Sequence, residues 1–588
     1  LPTTVCCEEV IWLADVATPT RAVSAEWFRC PNCEAFVYYK RLKRNLGVCP
    51  ECNHHFRLRL SERLSQLLDS GSFEELSGDL EPLDALSFFD SKPYVDRIRD
   101  AQRKTGLKSG ALYGTATLDG LPIVVAAIDF GFVGGSMSGA VGEAITRAAE
   151  LALERRTPLL VISASGGARM QEGCVSLMQM AKTSQAVARM GEAGVPFFSL
   201  LTDPTYGGVS ASYATLGDVL ISEPGAHIGF AGPSVIEQTI HQKLPDGFQT
   251  SAFLLEHGML DVVEPRENLR RTLRNLLALH ALAEQARGED TDATVGRLPG
   301  ADGDPPVSDP DQLAVGDPWD VVQLARHIDR PRMLDLVSTV FDEFHELRGD
   351  RAFGEDRAII GGVGRIGDLA VMVIGQQKGH ATSELVEHNF GMPEPEGYRK
   401  GMRLMRYAAR FGMPVVTLVD TPGAYPGIGA EERGQSNAIA ESILLMSRLP
   451  IPTVAVVTGE GGSGGALALA TADRVLMMEN AYYSVISPEG CSTILFKDAS
   501  AAPRAAKALR ITSPELLRLG VMDAVVPEPA GGAQTDPAAA GANLRAALVA
   551  SLAELLQLDT DELLTQRYDR FRKFGAPGKQ PVLPPITG

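Results

Sequence analysis

Short runs of consecutive apolar residues, many of them β-branched, alternate along most of this chain with longer stretches of mixed polarity. Pro158-Leu-Leu-Val-Ile-Ser163 and Pro196-Phe-Phe-Ser-Leu-Leu201 are two such runs; Pro414-Val-Val-Thr-Leu-Val419 and Pro452-Thr-Val-Ala-Val-Val457 are two more. Uninterrupted apolar runs of this length predict strands covered on both faces. Their alternation with helix-length segments predicts an α/β architecture.

The runs repeat. Thr157–Ser163 resembles Met413–Val419, and Val195–Leu201 resembles Ile451–Val457, each pair 256 positions apart. Ala226–Pro233 resembles Ala481–Pro488, and Gly258–Val263 resembles Gly520–Val525. Four matches in the same order predict two copies of one fold. Within each copy a strand is followed by a glycine-rich turn and a helix: Ala164–Gly173 in the first, Gly459–Ala466 in the second. A helix N-terminus leaves backbone N–H groups unpaired and partly positive, and glycine lets a ligand oxygen come close to them. Two such donors make an oxyanion hole. A single Gly-Gly pair reads first as close packing; the recurrence in both copies predicts two stabilised oxygens. Neither turn has the Walker A spacing or the G-x-G-x-x-G fingerprint.

Cysteine adds a second chemistry. Cys30-Pro-Asn-Cys33 and Cys49-Pro-Glu-Cys52 are two knuckles whose four thiolates would close a tetrahedral zinc shell, a structural site. Cys174 and Cys491 read as buried small hydrophobes. Between the knuckles, Lys40, Arg41, Lys43 and Arg44 read as a solvated loop, or as a contact for an anion such as a CoA phosphate or RNA. His227 reads as a core or pocket residue, and Arg169 with Glu172 as a pair supporting the loop they sit in.

Composition sets the outer limits. The 588 residues are 45% hydrophobic and 22% charged, ordinary globular values, with a net charge of −18 that argues against a polyanion-binding role for the whole chain. No stretch of about 18 apolar residues predicts a membrane span, and the N-terminal residues lack a secretory pattern; a cytoplasmic location is expected. Residues 288–318 hold five Gly, five Pro and eight acidic residues against one basic, Arg297, and predict a flexible linker. The expected organisation is a tail over 1–25, a ribbon over 26–60, one α/β domain over 61–287, the linker over 288–318, a second α/β domain over 319–560 and a tail over 561–588.

These motifs together resemble the carboxyltransferase of bacterial acetyl-CoA carboxylase. The first half is similar to its β subunit in Trp27–Cys33, Cys49–His55, Gly134–Met137, Ser165–Glu172, Gly207–Ser212, Ile228–Pro233 and Val235–Thr239. The second is similar to the α subunit in Glu346–Arg351, Asp420–Gly427, Gly429–Gln435, Gly459–Ala466 and Ser484–Cys491. Two subunits, usually separate, stand fused here, and Lys378–Thr382 departs from the more charged stretch of the family. The resemblance implies two crotonase-like (ββα spiral) domains in tandem behind an N-terminal zinc ribbon. It implies transfer of CO2 from N1-carboxybiotin, supplied on a biotin carboxyl carrier protein, to acetyl-CoA, giving malonyl-CoA for fatty-acid synthesis. CoA would lie mostly on the first half and biotin on the second, with the site at their interface. On this reading Gly166, Gly167, Gly464 and Gly465 are the catalytic donors, and Gly134, Gly135, Gly207, Gly208, Gly461 and Gly462 line the substrates. Zn2+ would sit on Cys30, Cys33, Cys49 and Cys52. The sequence contains no Ala-Met-Lys-Met biotinylation site and no recognisable ATP-binding domain. The carrier protein and a biotin carboxylase are therefore implied partners, and the chain is expected as a homodimer equivalent to α2β2. Competing readings keep the fold and change the substrate to propionyl-CoA, run a biotin-dependent decarboxylase in reverse, or make the ribbon an RNA-binding module.

Overall fold

The computed structural model describes residues 27–84, 86–233, 236–237, 243–288, 291–300 and 302–574. The predicted tail over 1–25 lies outside them, as do residues 575–588. The chain forms two compact units, Leu1–Leu58 and Arg59–Gly588. In the first, β1 (Trp27–Arg29) and β2 (Phe36–Tyr38) pair antiparallel and lead into helix Tyr39–Arg44 around buried Cys30, Val37, Leu42 and Cys49.

The second unit contains two sheets of the same topology. The first is built from β3 (Glu74–Glu75), β4 (Ala111–Leu118), β5 (Leu121–Ile128), β6 (Leu159–Ser165), β7 (Phe197–Tyr206), β8 (Val219–Ser222), β9 (Ile228–Gly229) and β10 (Val262–Val263). Their order is β10-β8-β7-β6-β5-β4-β3, with β9 added to β7; β3 to β5 pair antiparallel and the rest parallel. The second is built from β11 (Glu343–Glu346), β12 (Ile359–Ile366), β13 (Leu369–Gln376), β14 (Val415–Thr421), β15 (Thr453–Gly462), β16 (Arg474–Met478), β17 (Tyr482–Ser484) and β18 (Ala524–Val526). It has the order β11-β12-β13-β14-β15-β16-β18, with β17 on β15. The repeat read from the sequence is therefore a repeat of fold. Register repeats as well, Leu159 facing Phe197 as Val415 faces Thr453. The central strands are buried almost throughout, which is why they read as apolar runs.

The halves join through helix Arg266–Gly288. Its His280 is buried against Phe198 near the start of β7, and its Nε2 lies 2.6 Å from the Tyr407 hydroxyl. Arg410 pairs with Asp218 just before β8 (2.5 Å), and Arg403 with Asp261 just before β10 (2.9 Å). On the first half, these contacts lie at the N-terminal ends of the parallel strands.

Two sequence expectations are corrected. The stretch 288–318, expected to be a flexible linker, is held against the second half by its described residues. Val307 and Val525 exchange two backbone hydrogen bonds of 2.8 Å, Asp304 N donates to Asn543 Oδ1, and Arg518 pairs with Asp311. Its composition offers little apolar surface, but main-chain bonding supplies the anchorage. The tail expected from 561 is also displaced. Helix Thr560–Arg572, N-capped by Asp559, buries Arg567, which binds Asp473 (2.6 and 2.7 Å) and the carbonyls of Met446, Leu449 and Ile451. No single helix among the described residues is long and apolar enough to cross a membrane.

Candidate active site

The parallel strands of each half end, at their C-terminal side, in two turns pressed together. In the first half, Gly166-Gly167 follows β6 and Gly207-Gly208 follows β7. A Cβ on Gly167 would meet Gly207 Cα at 3.4 Å and Gly208 N at 3.7 Å. In the second half, Pro422-Gly423 follows β14 and Ser463-Gly464-Gly465 follows β15, and a Cβ on Gly465 would lie 2.4 Å from Ala424 N. This corrects the sequence pairing. The turn at Gly166-Gly167 is the counterpart of Pro422-Gly423, and that at Gly464-Gly465 the counterpart of Gly208-Val209. Conformation follows the same pairing: Gly207 and Ser463 have φ of 63° and 57°, Gly167 and Gly423 of 120° and 151°.

Hydrogen bonding distinguishes the N–H groups. Gly166 N donates to Gly134 O (2.9 Å) and Gly167 N to Ser165 Oγ (3.0 Å), so both of these predicted donors are already engaged. In the second half Gly423 N likewise donates to Thr421 Oγ1 (3.0 Å). The next residue in each turn, Ala168 and Ala424, has a backbone N–H with no partner among the described residues. Beside them begin helices Gly207–Ser210 and Ser463–Leu467. Their second residues, Gly208 and Gly464, and their third, Val209 and Gly465, sit where an N–H has no intrahelical carbonyl to reach. The other predicted glycines support these turns. Gly134 O holds Gly166, and a Cβ on Gly135 would strike Ala164 O at 2.0 Å. Gly207 N donates to Phe230 O. Gly461 and Gly462 are buried strand residues, the second against Pro422 O.

Arg169 and Glu172 are both buried, and their carboxylate–guanidinium approach is 3.9 Å. Arg169 donates to Ser136 Oγ and O and to the Tyr94 hydroxyl. Glu172 accepts from Tyr94 (2.6 Å) and from Gly139 N (2.6 Å). They brace the loop, as expected from the sequence. Behind the second-half turns lies an ionic cluster that sequence reasoning missed. Lys378 Nζ bridges Asp420 Oδ1 (2.6 Å) and Glu460 Oε1 (2.8 Å), Arg332 reaches Asp420 Oδ2 (3.1 Å), and Arg326 and Tyr482 reach Glu460 Oε2 (2.8 and 2.6 Å). Burial pushes the Glu460 carboxyl up, but Lys378 and Arg326 outweigh it and hold it down to about 2. Asp420 is lowered in the same way, Lys378 and Arg332 outweighing its burial.

The family model described as acetyl co-enzyme A carboxylase carboxyltransferase-like matches residues 311–575, and that of the acetyl-CoA carboxylase zinc finger domain residues 27–52. The acetyl-coenzyme A carboxylase carboxyl transferase subunits beta/alpha of Saccharopolyspora erythraea is 55% identical over 95% of this chain and 96% of its own. The chain belongs to the acetyl-CoA carboxylase carboxyl transferase family. A Clostridium tetani relative of the same description is 43% identical over 93% of each chain. Among solved structures, transcarboxylase 12S matches at a TM-score of 0.65 and 21% identity over 88% of this chain and 92% of that one, a likeness of fold.

As in that zinc finger, the ribbon cysteines converge. The sulfurs of Cys30, Cys33, Cys49 and Cys52 lie within 4.8 Å of one another, with Cys30–Cys52 at 3.6 Å and Cys33–Cys49 at 3.9 Å. Sulfurs around a tetrahedral zinc with bonds of about 2.3 Å lie roughly 3.8 Å apart, so the four thiols fit the ion and leave it no open position. Lys40, Arg41, Lys43 and Arg44 belong to a short helix rather than a loop, exposed to solvent, with Arg41 paired to Glu51. His227 is half exposed and pairs with Asp203 (3.0 Å). Cys491 is buried as expected; Cys174 is exposed, at the first position of helix Cys174–Ala193.

Proposed function

We propose that this chain carries out the carboxyl-transfer half-reaction of acetyl-CoA carboxylation. The observation that carries the reading is the pair of turns in each half, with an N–H that has no partner among the described residues at Ala168 beside Gly208, and at Ala424 beside the Gly464-Gly465 turn, which it approaches at Gly465. Departure of CO2 from N1-carboxybiotin leaves a ureido anion, whose oxygen takes the donors of Ala424 and Gly464. That anion removes a proton from the methyl carbon of acetyl-CoA. The thioester enolate places its oxygen on Ala168 N and Gly208 N, and its carbon adds CO2 to give malonyl-CoA. The proton ends on biotin, so no side-chain base is needed. Converging backbone donors act where charge develops and need no reorganisation as it does so. A biotin carboxyl carrier protein and a biotin carboxylase supply the carboxybiotin.

The active species is a homodimer. The start of β7 is tied to the second half of its own chain through Asp218, which accepts Phe197 N and pairs with Arg410, whereas Gly207-Gly208 lie past its other end. Ten residues of strand separate the two by about 30 Å at about 3.3 Å per residue. The first-half turns therefore face away from the junction between the halves, and a single site holding both oxygens takes one half from each of two chains. The expected interface of the two halves is then one formed between chains. A two-fold pairing then yields two equivalent sites.

The test is malonyl-CoA-dependent carboxylation of biocytin by the purified chain, run beside methylmalonyl-CoA. Turnover with malonyl-CoA is expected. Turnover with methylmalonyl-CoA alone would reassign the acyl group, and none with either would refute the reading.

A further inference from the structure

The two halves diverge most directly behind their turns. Strand pairs β6–β7 and β14–β15 carry the same irregularity: pairing jumps from Ser163↔Leu201 to Ser165↔Thr205, and from Val419↔Val457 to Thr421↔Gly461. One residue of the first strand, Ala164 or Asp420, thus faces three of the second. A bulge of this kind bends a strand and re-aims the segment after it. In both halves that segment is the helix start that presents the donors. In the first half the bulge holds Ala164 and Pro204, and the residue two past β5 is Phe130. At the corresponding positions the second half has Asp420, Glu460 and Lys378. The same backbone device therefore carries Ala164 and Pro204 in one half, with the Thr202 and Thr205 hydroxyls donating to Ser163 O, and buried charges at the matching positions in the other.

The charged version is a clamp. Lys378, Asp420 and Glu460 stand at or just past the C-terminal ends of three neighbouring strands, β13, β14 and β15, all buried. The single ammonium bridges both carboxylates, and Asp420 Oδ1 also accepts the Glu460 backbone N–H at 2.9 Å, filling the ladder position that the bulge vacates. Asp420 lies four residues before Ala424, and Glu460 four before Gly464. The other charged or titratable groups on the cluster are Arg332 on Asp420, Arg326 and Tyr482 on Glu460, and Glu489 on Arg326.

We propose that Lys378 is a positioning residue for the second-half donors, holding the ends of β14 and β15 at the separation that aims the Ala424 and Gly464 N–H groups at one oxygen. This rests on the carboxyl-transfer reading, in which that oxygen belongs to biotin. Without the ammonium, two buried carboxylates face each other across the bulge, and each keeps a single counter-charge, Arg332 on Asp420 and Arg326 on Glu460. The strand ends then part, the biotin oxygen loses its donors, and the acyl-CoA side, built on the other half, is untouched.

The experiment compares the parent chain with Lys378→Met, with Lys378→Met/Glu460→Gln and with Lys378→Gln. Each is assayed as the full zinc-loaded chain for malonyl-CoA-dependent carboxylation of biocytin, alongside its melting temperature. Lys378→Met is expected to lower kcat/KM for biocytin by about tenfold or more while KM for malonyl-CoA stays within about twofold. Removing one of the opposed charges in the double variant is expected to recover about threefold or more of that loss. Should Lys378→Met fail to fold, Lys378→Gln, which keeps most of the volume and an uncharged NH2 donor, is expected to lose about threefold or more in the same parameter. Biocytin kinetics at the parental level, equal losses toward both substrates, or a double variant no better than the single would each overturn the positioning role. A parent chain inactive in the assay would instead sink the underlying reading.

Discussion

Replacing Gly465 by alanine puts the second-half donors to a direct test. The added methyl would lie 2.4 Å from Ala424 N, 2.7 Å from Gly423 C and 2.9 Å from the Tyr398 hydroxyl. Ordinary contact for such atoms is about 3.5 Å, so the closest approach is short by about 1 Å. Two of the three neighbours are backbone and cannot swing aside. Relief comes only by shifting Ala424, and a displacement of about 1 Å takes its N–H out of hydrogen-bonding range. Loss of one such donor costs about 2.7–4 kcal/mol, or about 10²–10³ in kcat. The same overlap destabilises the fold by about 1–3 kcal/mol, which a domain stable by about 5–15 kcal/mol survives at the assay temperature. Gly167→Ala is the contrasting change. Its nearest neighbours would be at 3.4 to 3.7 Å, an ordinary distance, and its own N–H already binds Ser165 Oγ. The difficulty there is φ of 120°, a strain of about 1–3 kcal/mol that falls on stability. The expected result is a kcat loss in Gly465→Ala of about a hundredfold or more, and about tenfold or less in Gly167→Ala. The readout is biocytin carboxylation on protein shown to be folded by its melting transition. A parent-like kcat in folded Gly465→Ala would refute the donor assignment, and a larger loss in Gly167→Ala would move it to the other turn.

Cys30→Ser with Cys33→Ser should remove one zinc equivalent per chain by elemental analysis; full metal content would contradict a four-thiolate site. Light scattering during turnover should give twice the chain mass of 62.8 kDa; activity at the single-chain mass would exclude a site shared between two chains. Glu223 is buried between Arg63 and Arg266 (2.5 and 2.7 Å), which outweigh its burial and hold its carboxyl well below the carboxylate range. Its contribution is therefore fully present above the unfolded carboxyl value of about 4.3 and is lost as pH falls below that. Glu223→Gln should cost about 3–5 kcal/mol near neutral pH in denaturant melts and flatten the acid limb of the stability profile; a loss below about 1 kcal/mol would show the pair to be unimportant.

The fold was legible because its strands are buried on both faces and so repeat as apolar runs, and because four segments recur in the same order, two of them at an offset of 256. The candidate site was legible to the level of which turns, not which atoms. The sequence pairing joined Gly166-Gly167 to Gly464-Gly465 because both are glycine pairs after a strand. The constant offset, applied to Gly464, leads instead to Gly208, so the signal was present. That the N–H groups of Gly166 and Gly167 are engaged is invisible in sequence, since their acceptors are Gly134, 32 residues earlier, and a neighbouring hydroxyl. Lys378 attracted notice only as the start of an unusual stretch, its partners lying 42 and 82 residues away. The acidic, proline-rich stretch misled for a related reason: composition reports side chains, while Val307 is held by its backbone.

Duplication explains why two oxygens can be handled by one fold. Each copy ends its sixth-and-seventh or fourteenth-and-fifteenth strand pair in the same bulge, so each inherits a donor pair by geometry alone. The copies differ in the support beneath. Ala164 and Pro204 put no charge at the first-half bulge positions where Asp420 and Glu460, bridged by Lys378, place alternating charges under the second. A thioester oxygen becomes anionic only as the enolate forms, while a ureido oxygen carries charge as soon as CO2 departs. On the carboxyl-transfer reading, the half with the charged support is the one whose donors meet that earlier anion. A rigid ionic clamp there keeps the donors aimed without waiting for the ligand to organise them, which is the condition under which such donors lower a barrier.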